Sequence, residues 1–225
     1  MKIYLDTANL GEIREAARWG ILSGVTTNPS LMAQEEGAGF EDTIRNICEL
    51  VNGPISAETV SEDADGMVRE GVEFAAWHSN VIIKVPSTTD GLEAVSRLGR
   101  RGIRCNVTLI FNTNQALMAA LAGAFVVSPF VGRVDDMSYD GMELIREIGE
   151  VFDHDPDIHT RILAASIRHP RHVAEAALAG AHIATCPFKV LKKCMRHPLT
   201  DRGMASFLAD WRKREATMAL ATAGN

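Results

Sequence analysis

The chain has 225 residues, of which 46% are hydrophobic and 23% are charged, and its net charge at pH 7 is −6. This acidic balance argues against a general nucleic-acid-binding protein, which would present a basic face. No apolar run reaches about 18 residues and the first residues lack an apolar signal region. We therefore expect a cytoplasmic protein that binds neither nucleic acid nor membrane.

Eight short apolar segments alternate along the chain with amphipathic stretches. Most of the eight are continuous apolar runs, which is typical of parallel strands covered on both faces. The predicted strands are Lys2–Leu5, Gly24–Thr27, Ile55–Thr59, Val81–Val85, Arg104–Leu109, Phe125–Pro129, Arg161–Ala165 and His182–Thr185.

The stretches between these runs have helical periodicity and helix-end signals. Asn9 is expected to cap the first helix, and Ser61 the third. Gly102, Gly123 and Gly180 are expected to end helices. The predicted helices are Leu10–Trp19, Phe40–Val51, Ala64–Ser79, Thr89–Arg101, Asn112–Ala122, Asp140–Phe152, Pro170–Ala179 and Pro187–Met195.

Eight strand–helix units within about 200 residues predict an α/β protein with a (β/α)₈ barrel. The alternative is a doubly wound sheet, but that fold normally has fewer strands, and the first turn contains no glycine-rich nucleotide motif. We expect residues 1–200 to form the barrel. Residues 201–225 are predicted to form a further helix and tail of the same domain, whose apolar side packs on the barrel or on a neighbouring subunit.

Polar side chains occur at or just after the end of every predicted strand. In a barrel the carboxyl ends of the strands carry the active site, whereas the opposite end is structural. Together these residues suit acid–base chemistry on a carbonyl compound and binding of a phosphate. The candidates are Asp6, Thr26, Asn28, Glu58, Lys84, Asn106, Thr108, Ser128, Arg133, Ser166, Arg168 and Thr185.

Lys84 is the only lysine with apolar strand residues on both sides, in the segment Val81–Pro86. A buried lysine must be paired or uncharged, and a lowered pKa allows an amine to attack a carbonyl. The alternative is a structural lysine that is ion-paired or extends its charged end to solvent.

Other charged residues have similarly open interpretations. Asp6 and Glu58 are candidate acid and base groups, or residues that cap the helices following their strands. Arg133 and Arg168 suit phosphate recognition, or form surface ion pairs.

The histidines and cysteines do not indicate a metal site. His154 with His159, and His169 with His172, have spacings that metal ligands can show, but their segments are charged, so we expect solvated surface histidines. The four cysteines form no metal-binding or disulfide motif, and we expect buried free thiols. No metal site is predicted.

Several segments together resemble the small transaldolase family, which also includes fructose-6-phosphate aldolases. The resemblance covers nearly the whole chain. It is carried by Tyr4–Asn9, Gly24–Leu31, Ile82–Pro86, Asn106–Leu109, Ser128–Arg133 and Ala164–Arg168.

The resemblance implies a class I aldolase mechanism that needs no cofactor. Lys84 would form an imine with a phosphorylated ketose, and Asp6 would accept a proton as the carbon–carbon bond breaks. Glu58 and Thr108 would hold a water molecule. The family pattern assigns the remaining residues to the substrate: Asn28 and Asn106 to the dihydroxyacetone hydroxyls, Thr26, Ser128 and Ser166 to the pocket, and Arg133 and Arg168 to phosphate.

Two positions bear on the subtype that the resemblance implies. The aldolase members carry glutamine where this chain has Glu58, and tyrosine where it has Phe130. The chain therefore resembles the transaldolase subtype, with fructose-6-phosphate aldolase as the alternative. The resemblance also implies a homo-pentamer or homo-decamer.

Overall fold

The computed structural model describes residues 1–34 and 39–223, and it has eight parallel strands that close into a barrel in sequence order. This confirms the predicted (β/α)₈ fold and excludes the doubly wound sheet. The strands are β1 (Lys2–Asp6), β2 (Leu22–Thr26), β3 (Ile55–Glu58), β4 (Val81–Pro86), β5 (Cys105–Ile110), β6 (Val126–Pro129), β7 (Arg161–Ala164) and β8 (Ile183–Cys186).

Helices follow the strands, and two short ones were not predicted. These are α2 and α7, which lie in segments that follow β2 and β6. The helices within the described residues are α1 (Leu10–Ala17), α2 (Pro29–Met32), α3 (Phe40–Leu50), α4 (Ala64–Ala75), α5 (Thr89–Gly99), α6 (Thr113–Leu121), α7 (Val131–Asp136), α8 (Gly141–Asp153), α9 (Pro170–Leu178), α10 (Phe188–Cys194) and α11 (Pro198–Ala223). None of them is long and apolar enough to cross a lipid bilayer.

The helix-end predictions were mostly confirmed. The Asn9 side chain accepts the Glu12 N–H at the start of α1. The prediction for α4 was wrong, because Asp63 caps that helix by accepting the Gly66 N–H, whereas the Ser61 hydroxyl donates to Glu70. The predicted glycines Gly102, Gly123 and Gly180 all have the positive φ that a helix-ending glycine supplies.

Two apolar clusters hold the barrel together. The larger one lies between the strands and the surrounding helices and includes Ile83 and Val85 of β4. The smaller one includes Tyr4, Leu163 and Ile183 from three different strands. Because alternate residues of a strand face opposite sides, each strand contributes to the helix layer and to the barrel interior.

The described chain divides into two compact units, Met1–Leu191 and Lys192–Asn225. The first contains the whole barrel. In the second, α11 carries Met204, Phe207, Leu208 and Trp211 at the spacing of one helix face, and all four are exposed. The predicted division into a barrel and a C-terminal helix of the same domain stays a prediction.

Helix α7 lies unusually close to the segment that follows β7. A Cβ atom built on Gly132 would lie 2.2 Å from the Ser166 carbonyl oxygen and 2.8 Å from the Arg168 side chain. The Val131 N–H also donates to the Ala165 carbonyl at 3.1 Å. Glycine at position 132 is therefore required by close backbone approach.

We expect Gly132→Ala to lower the free energy of unfolding by about 1–3 kcal/mol, because the backbone must move to admit the methyl group. Gly149→Ala in α8 is the matched control, since its Cβ would meet only Ile162 Cδ1 at 3.9 Å. That control should be neutral or stabilising by about 0.5–1 kcal/mol. Urea denaturation measures both, and equal stability of the two variants would contradict the close approach.

Candidate active site

Lys84 lies in a row of polar residues that crosses three neighbouring strands. Strand pairing places Glu58 of β3 and Asn106 of β5 on either side of it. Lys84 is 6% exposed, and its Nζ donates to the Thr27 carbonyl at 3.0 Å. Nζ also lies 2.9 Å from Glu58 Oε2. The buried ammonium is therefore neutralised by a carboxylate and directed by a backbone carbonyl.

Glu58 and Thr108 contain the unsatisfied polar atoms of the site. Glu58 Oε2 is at ion-pair distance from Lys84, yet it is not aligned for a hydrogen bond, and the buried Thr108 Oγ1 has no hydrogen-bond partner in the described structure. Leu109, the residue after Thr108, has φ of 60°, and the β5–β6 register shifts there. Because positive φ is unfavourable for leucine, this irregularity is a strained feature next to the site.

Asp6 forms a second polar group with the ends of β2 and β8. The Thr26 hydroxyl donates to Asp6 Oδ1 at 2.7 Å and lies 2.6 Å from the Thr185 hydroxyl. Burial raises the pKa of the Asp6 carboxyl, and the nearby Glu58 charge raises it further. The Thr26 hydrogen bond and the Lys84 charge oppose this rise, but the net pKa lies above its ordinary value.

Asn106 and Ser128 are linked deeper in the barrel. The Ser128 hydroxyl donates to Asn106 Oδ1 at 2.7 Å, and Asn106 Nδ2 donates to the Ser56 hydroxyl at 3.1 Å. The Asn106 amide is therefore held between two serine hydroxyls, each of which can donate or accept a hydrogen bond.

A cavity of about 150 Å³ opens at the carboxyl ends of the strands. It brings together most of the predicted site residues, but Glu58, Asn106 and Arg168 are not part of its wall. The sequence did not predict Leu163 and Ala165, whereas Thr185 was a candidate from its strand-end position to which the family resemblance gave no role. The cavity is lined by Asp6, Thr26, Asn28, Lys84, Thr108, Ser128, Phe130, Arg133, Leu163, Ala165, Ser166 and Thr185.

The rim of the cavity holds Asn28, Phe130 and Arg133. Asn28 caps α2 by accepting the Leu31 N–H at 2.9 Å, and that bond does not use its amide nitrogen. The Arg133 guanidinium lies 5.0 Å from the Phe130 ring centroid, and Phe111 packs edge-on against the same ring. This cation–π contact directs one exposed arginine over the cavity.

Arg168 lies outside the cavity wall and is paired with Asp136 at 2.7 Å. Both partners are about half exposed, so the contact is the surface ion pair that the sequence left as one alternative. A negatively charged ligand would compete with Asp136 for this guanidinium. Ser166, two residues earlier, has φ of 59°.

The prediction of solvated histidines was wrong for His172. It is 6% exposed, because Asp135 of α7 covers it. His154, His159 and His169 are exposed, as predicted. Within residues 1–34 and 39–223, no three His, Cys, Asp or Glu side chains are grouped to hold a metal ion. Cys194 is exposed, whereas the other three cysteines are buried free thiols as predicted.

A larger groove of about 990 Å³ lies beside the cavity and shares Arg133 with it. Its charged lining is otherwise acidic, from Asp136, Asp140, Glu143 and Glu147. It contains neither the lysine nor the Asp6 group, so we assign the candidate site to the smaller cavity.

The fold and the cavity define a (β/α)₈ barrel with a buried strand lysine and two carboxylates at the carboxyl ends of its strands. Residues 3–222 match the family model for Transaldolase/Fructose-6-phosphate aldolase, and the chain belongs to this family.

Curated relatives agree with this assignment, and a solved structure agrees with the fold. A probable transaldolase of Roseiflexus sp. (strain RS-1) is 72% identical over 94% of this chain and 97% of its own length. A probable transaldolase of Lysinibacillus sphaericus (strain C3-41) is 57% identical over 96% of this chain and 99% of its own length. Thiamine phosphate pyrophosphorylase from Pyrococcus furiosus has a TM-score of 0.59 at 14% identity over 83% and 85% of the two chains, which shows the fold alone.

We expect Thr26→Val to raise the pKa of Asp6 further, because the substitution removes a hydrogen bond that favours the carboxylate. Carboxyl NMR titration of the two proteins measures the change. Thr113→Val, which removes a hydroxyl bonded to the exposed Glu147, is the control and should leave the Asp6 titration unchanged. A lower Asp6 pKa in Thr26→Val would contradict this account.

Proposed function

We propose that the protein is a transaldolase that transfers a dihydroxyacetone unit through a Schiff base on Lys84. The donor is sedoheptulose 7-phosphate or fructose 6-phosphate, and the acceptor is an aldose phosphate. The observation that carries the proposal is a buried lysine at ion-pair distance from Glu58 in a cavity that also contains Asp6. Membership of the family and relatives called probable transaldolase support it.

The first step is attack of the Lys84 amine on the ketose carbonyl. An ammonium has no lone pair, so Nζ must first lose a proton, and Glu58 at 2.9 Å is placed to accept it. The hydrogen bond from Nζ to the Thr27 carbonyl holds the Lys84 side chain in place. Loss of the carbonyl oxygen as water then gives a protonated imine, which is the electron sink of the reaction.

Cleavage of the C3–C4 bond requires a base at the C4 hydroxyl. Asp6 suits this role, because a carboxyl whose pKa is raised holds an accepted proton better than an ordinary aspartate. As the proton leaves, the bonding electrons move into the imine and form an enamine on Lys84, while the aldose phosphate departs. Addition of the enamine to a new aldehyde and hydrolysis of the imine complete the transfer.

Formation and hydrolysis of the imine also require protons to move through water. The Thr108 hydroxyl, which has no hydrogen-bond partner in the described structure, and the Glu58 carboxylate are suited to hold that water, since buried polar atoms with unused hydrogen-bonding capacity are the usual sites of ordered water.

The remaining predicted residues, in the cavity wall and around it, suit the two ends of the sugar. The amides of Asn28 and Asn106, with the hydroxyls of Thr26 and Ser128, would bind the dihydroxyacetone part. Arg133, Arg168 and Ser166 would bind the phosphate, for which a guanidinium is well matched in charge and shape.

Phe130 favours transfer over release of free dihydroxyacetone. Its ring lines the cavity but has no hydroxyl to donate a proton near the enamine. An enamine that is not protonated persists until an acceptor aldehyde arrives. We further propose cytoplasmic location and a homo-pentamer or homo-decamer, in which the exposed apolar face of α11 contacts a neighbouring subunit.

Sodium borohydride with fructose 6-phosphate should attach one reduced adduct to Lys84, which peptide mass spectrometry locates. Lys84→Met should abolish the adduct and lower kcat by about 10³-fold or more, because no other amine can form the imine. Lys189→Met, at an exposed lysine, is the matched control and should keep the adduct and the wild-type kcat.

Three results would contradict parts of this function. An adduct that survives in Lys84→Met, or tight ketose binding without any adduct, would reject the Schiff-base lysine. Inactivation by a chelator without loss of the adduct would indicate a metal-dependent reaction. Free dihydroxyacetone formed faster than sedoheptulose 7-phosphate, with erythrose 4-phosphate as acceptor, would favour the aldolase alternative.

We expect Phe130→Tyr to increase the ratio of released dihydroxyacetone to transferred product by about tenfold, because a phenol near the enamine supplies the missing acid. Assays with and without an acceptor aldehyde measure this ratio. Phe111→Tyr, at the neighbouring ring outside the cavity wall, is the control and should not change it.

A further inference from the structure

His172 is a buried titratable residue that the proposed reaction does not use. Its Nε2 lies 3.1 Å from Asp135 Oδ2, and its Nδ1 accepts the Arg168 backbone N–H at 3.3 Å. One ring nitrogen thus faces a carboxylate and the other faces a donor. A neutral imidazole with its proton on Nε2 satisfies both contacts, as inferred from the hydrogen-bond network.

The Asp135 end of this arrangement is itself fixed. Asp135 Oδ1 accepts the Gly141 N–H at 2.9 Å, so the carboxylate is held between α7 and α8. The Asp135 carboxylate, the His172 ring and the Arg168 backbone N–H form a chain of contacts, the positioning path. It connects the C-terminal end of α7 to the backbone of the segment that follows β7.

Both arginines assigned to phosphate are attached to this path. Arg133 lies in α7, two residues before Asp135, and Arg168 is the backbone partner of His172. Ser166, in the same segment, has the positive φ that a non-glycine residue keeps only when its surroundings hold it. A change in the path therefore alters how the two guanidinium groups are spaced.

We propose that His172 is a positioning residue that sets Arg168 and Ser166 relative to Arg133, so that the site recognises a phosphate monoester. The proposal rests on the phosphate role given to the two arginines in the proposed function. His172 does not contact substrate in this account; it acts through the backbone of Arg168.

The positioning path depends on pH through His172. Burial lowers the pKa of the His172 ring, as do its neighbours His169 and Arg168, whereas Asp135 of α7 and Glu175 of α9 oppose the shift. A protonated Nδ1 would place an N–H against the Arg168 N–H and break the path. Because the pKa lies below its ordinary value of 6.5, the path is intact above that pH and is lost as the pH falls through the lowered pKa.

Two substitutions remove the two contacts of the His172 ring one at a time. In His172→Asn the side-chain oxygen can replace Nδ1 as the acceptor for Arg168, but the side chain no longer reaches Asp135. In His172→Gln the amide can still donate to Asp135, but the acceptor for Arg168 is lost. Neither variant titrates near neutral pH.

His182→Gln is the matched control. His182 also accepts a backbone N–H through Nδ1, from Ile162 at 3.1 Å, and desolvation also lowers the pKa of its ring, although the residue is more exposed than His172. It precedes β8 at the opposite end of the barrel from the cavity, so the variant removes a similar brace without affecting the arginines.

Steady-state kinetics with fructose 6-phosphate and with unphosphorylated fructose as donors test the proposal. We expect both His172 variants to raise the KM for fructose 6-phosphate about tenfold, with kcat changed less than about twofold, because misplaced binding groups weaken ground-state and transition-state binding alike. The KM for fructose should not change, and the control variant should leave the KM for both donors unchanged. Equal changes for both donors, or no change, would overturn the proposal.

The pH profile gives a second readout that a merely structural histidine would not move. In the wild type, the KM for fructose 6-phosphate divided by the KM for fructose should rise as the pH falls below 6.5. The phosphate ester also titrates, with a pKa of about 6, but equally in every variant. The difference between wild type and His172→Gln therefore isolates His172, and parallel profiles would contradict its role.

Further measurements separate this proposal from the proposed function. Arg168→Gln and Arg133→Gln should raise the KM for fructose 6-phosphate selectively; if they do and the His172 variants do not, only the positioning role is wrong.

If the wild type forms no adduct on Lys84, calorimetric binding of inorganic phosphate still compares the same variants, and unchanged affinity would overturn the proposal. If the His172 variants fail to fold, Asp135→Asn interrupts the path from its other end and should give the same selective KM increase.

Discussion

The ion pair between Lys84 and Glu58 constrains the rest of the site. A buried ammonium is stable only when a carboxylate and a hydrogen-bond acceptor compensate for lost hydration, and Glu58 and the Thr27 carbonyl supply both. Leaving either charge of a buried pair alone costs about 3–5 kcal/mol. A shift of one residue in the β3–β4 register would turn Lys84 towards the apolar helix layer, so the chemistry and the strand register are specified together.

The two carboxylates near Lys84 differ because their partners differ. Glu58 lies against the ammonium, whereas Asp6 is bonded to the neutral Thr26 hydroxyl and has a raised pKa. Two carboxyls on β1 and β3, strands that β2 separates, can therefore take different parts in one reaction, one neutralising the lysine and the other accepting a proton from substrate. This division depends on the closed barrel, which places the end of β1 within electrostatic range of β4.

The end of the site that we propose binds phosphate is built differently. Arg133 and Arg168 are exposed and come from elements whose relative position depends on side-chain contacts. Gly132 permits the close approach, Phe130 directs Arg133, and His172 joins α7 to the backbone of Arg168. The strand lysine thus lies near one arginine of a short helix and one of a loop, and the relative position of that helix and loop rests on buried polar contacts.

The sequence predicted the features that depend on local pattern. The eight strands followed from apolar runs between helical stretches, and Asp6, Lys84 and Ser128 followed from their positions at strand ends. Errors arose where the local signal was weak or ambiguous. Helices α2 and α7 have only four and six residues, so neither shows a full amphipathic period. Ser61 and Asp63 are both good capping residues, and only the backbone conformation chose Asp63.

Contacts between elements far apart in sequence were decided by the tertiary structure alone. Only packing places Leu163 and Thr185 in the same cavity wall as Asp6, brings Asp135 against the buried His172 and pairs Arg168 with Asp136. The physical reason is that periodicity specifies which face of an element turns inward, but not which distant side chains meet there. Strand order and register keep Lys84 beside Glu58, whereas the exposed arginines take positions set by the helices and loops around them.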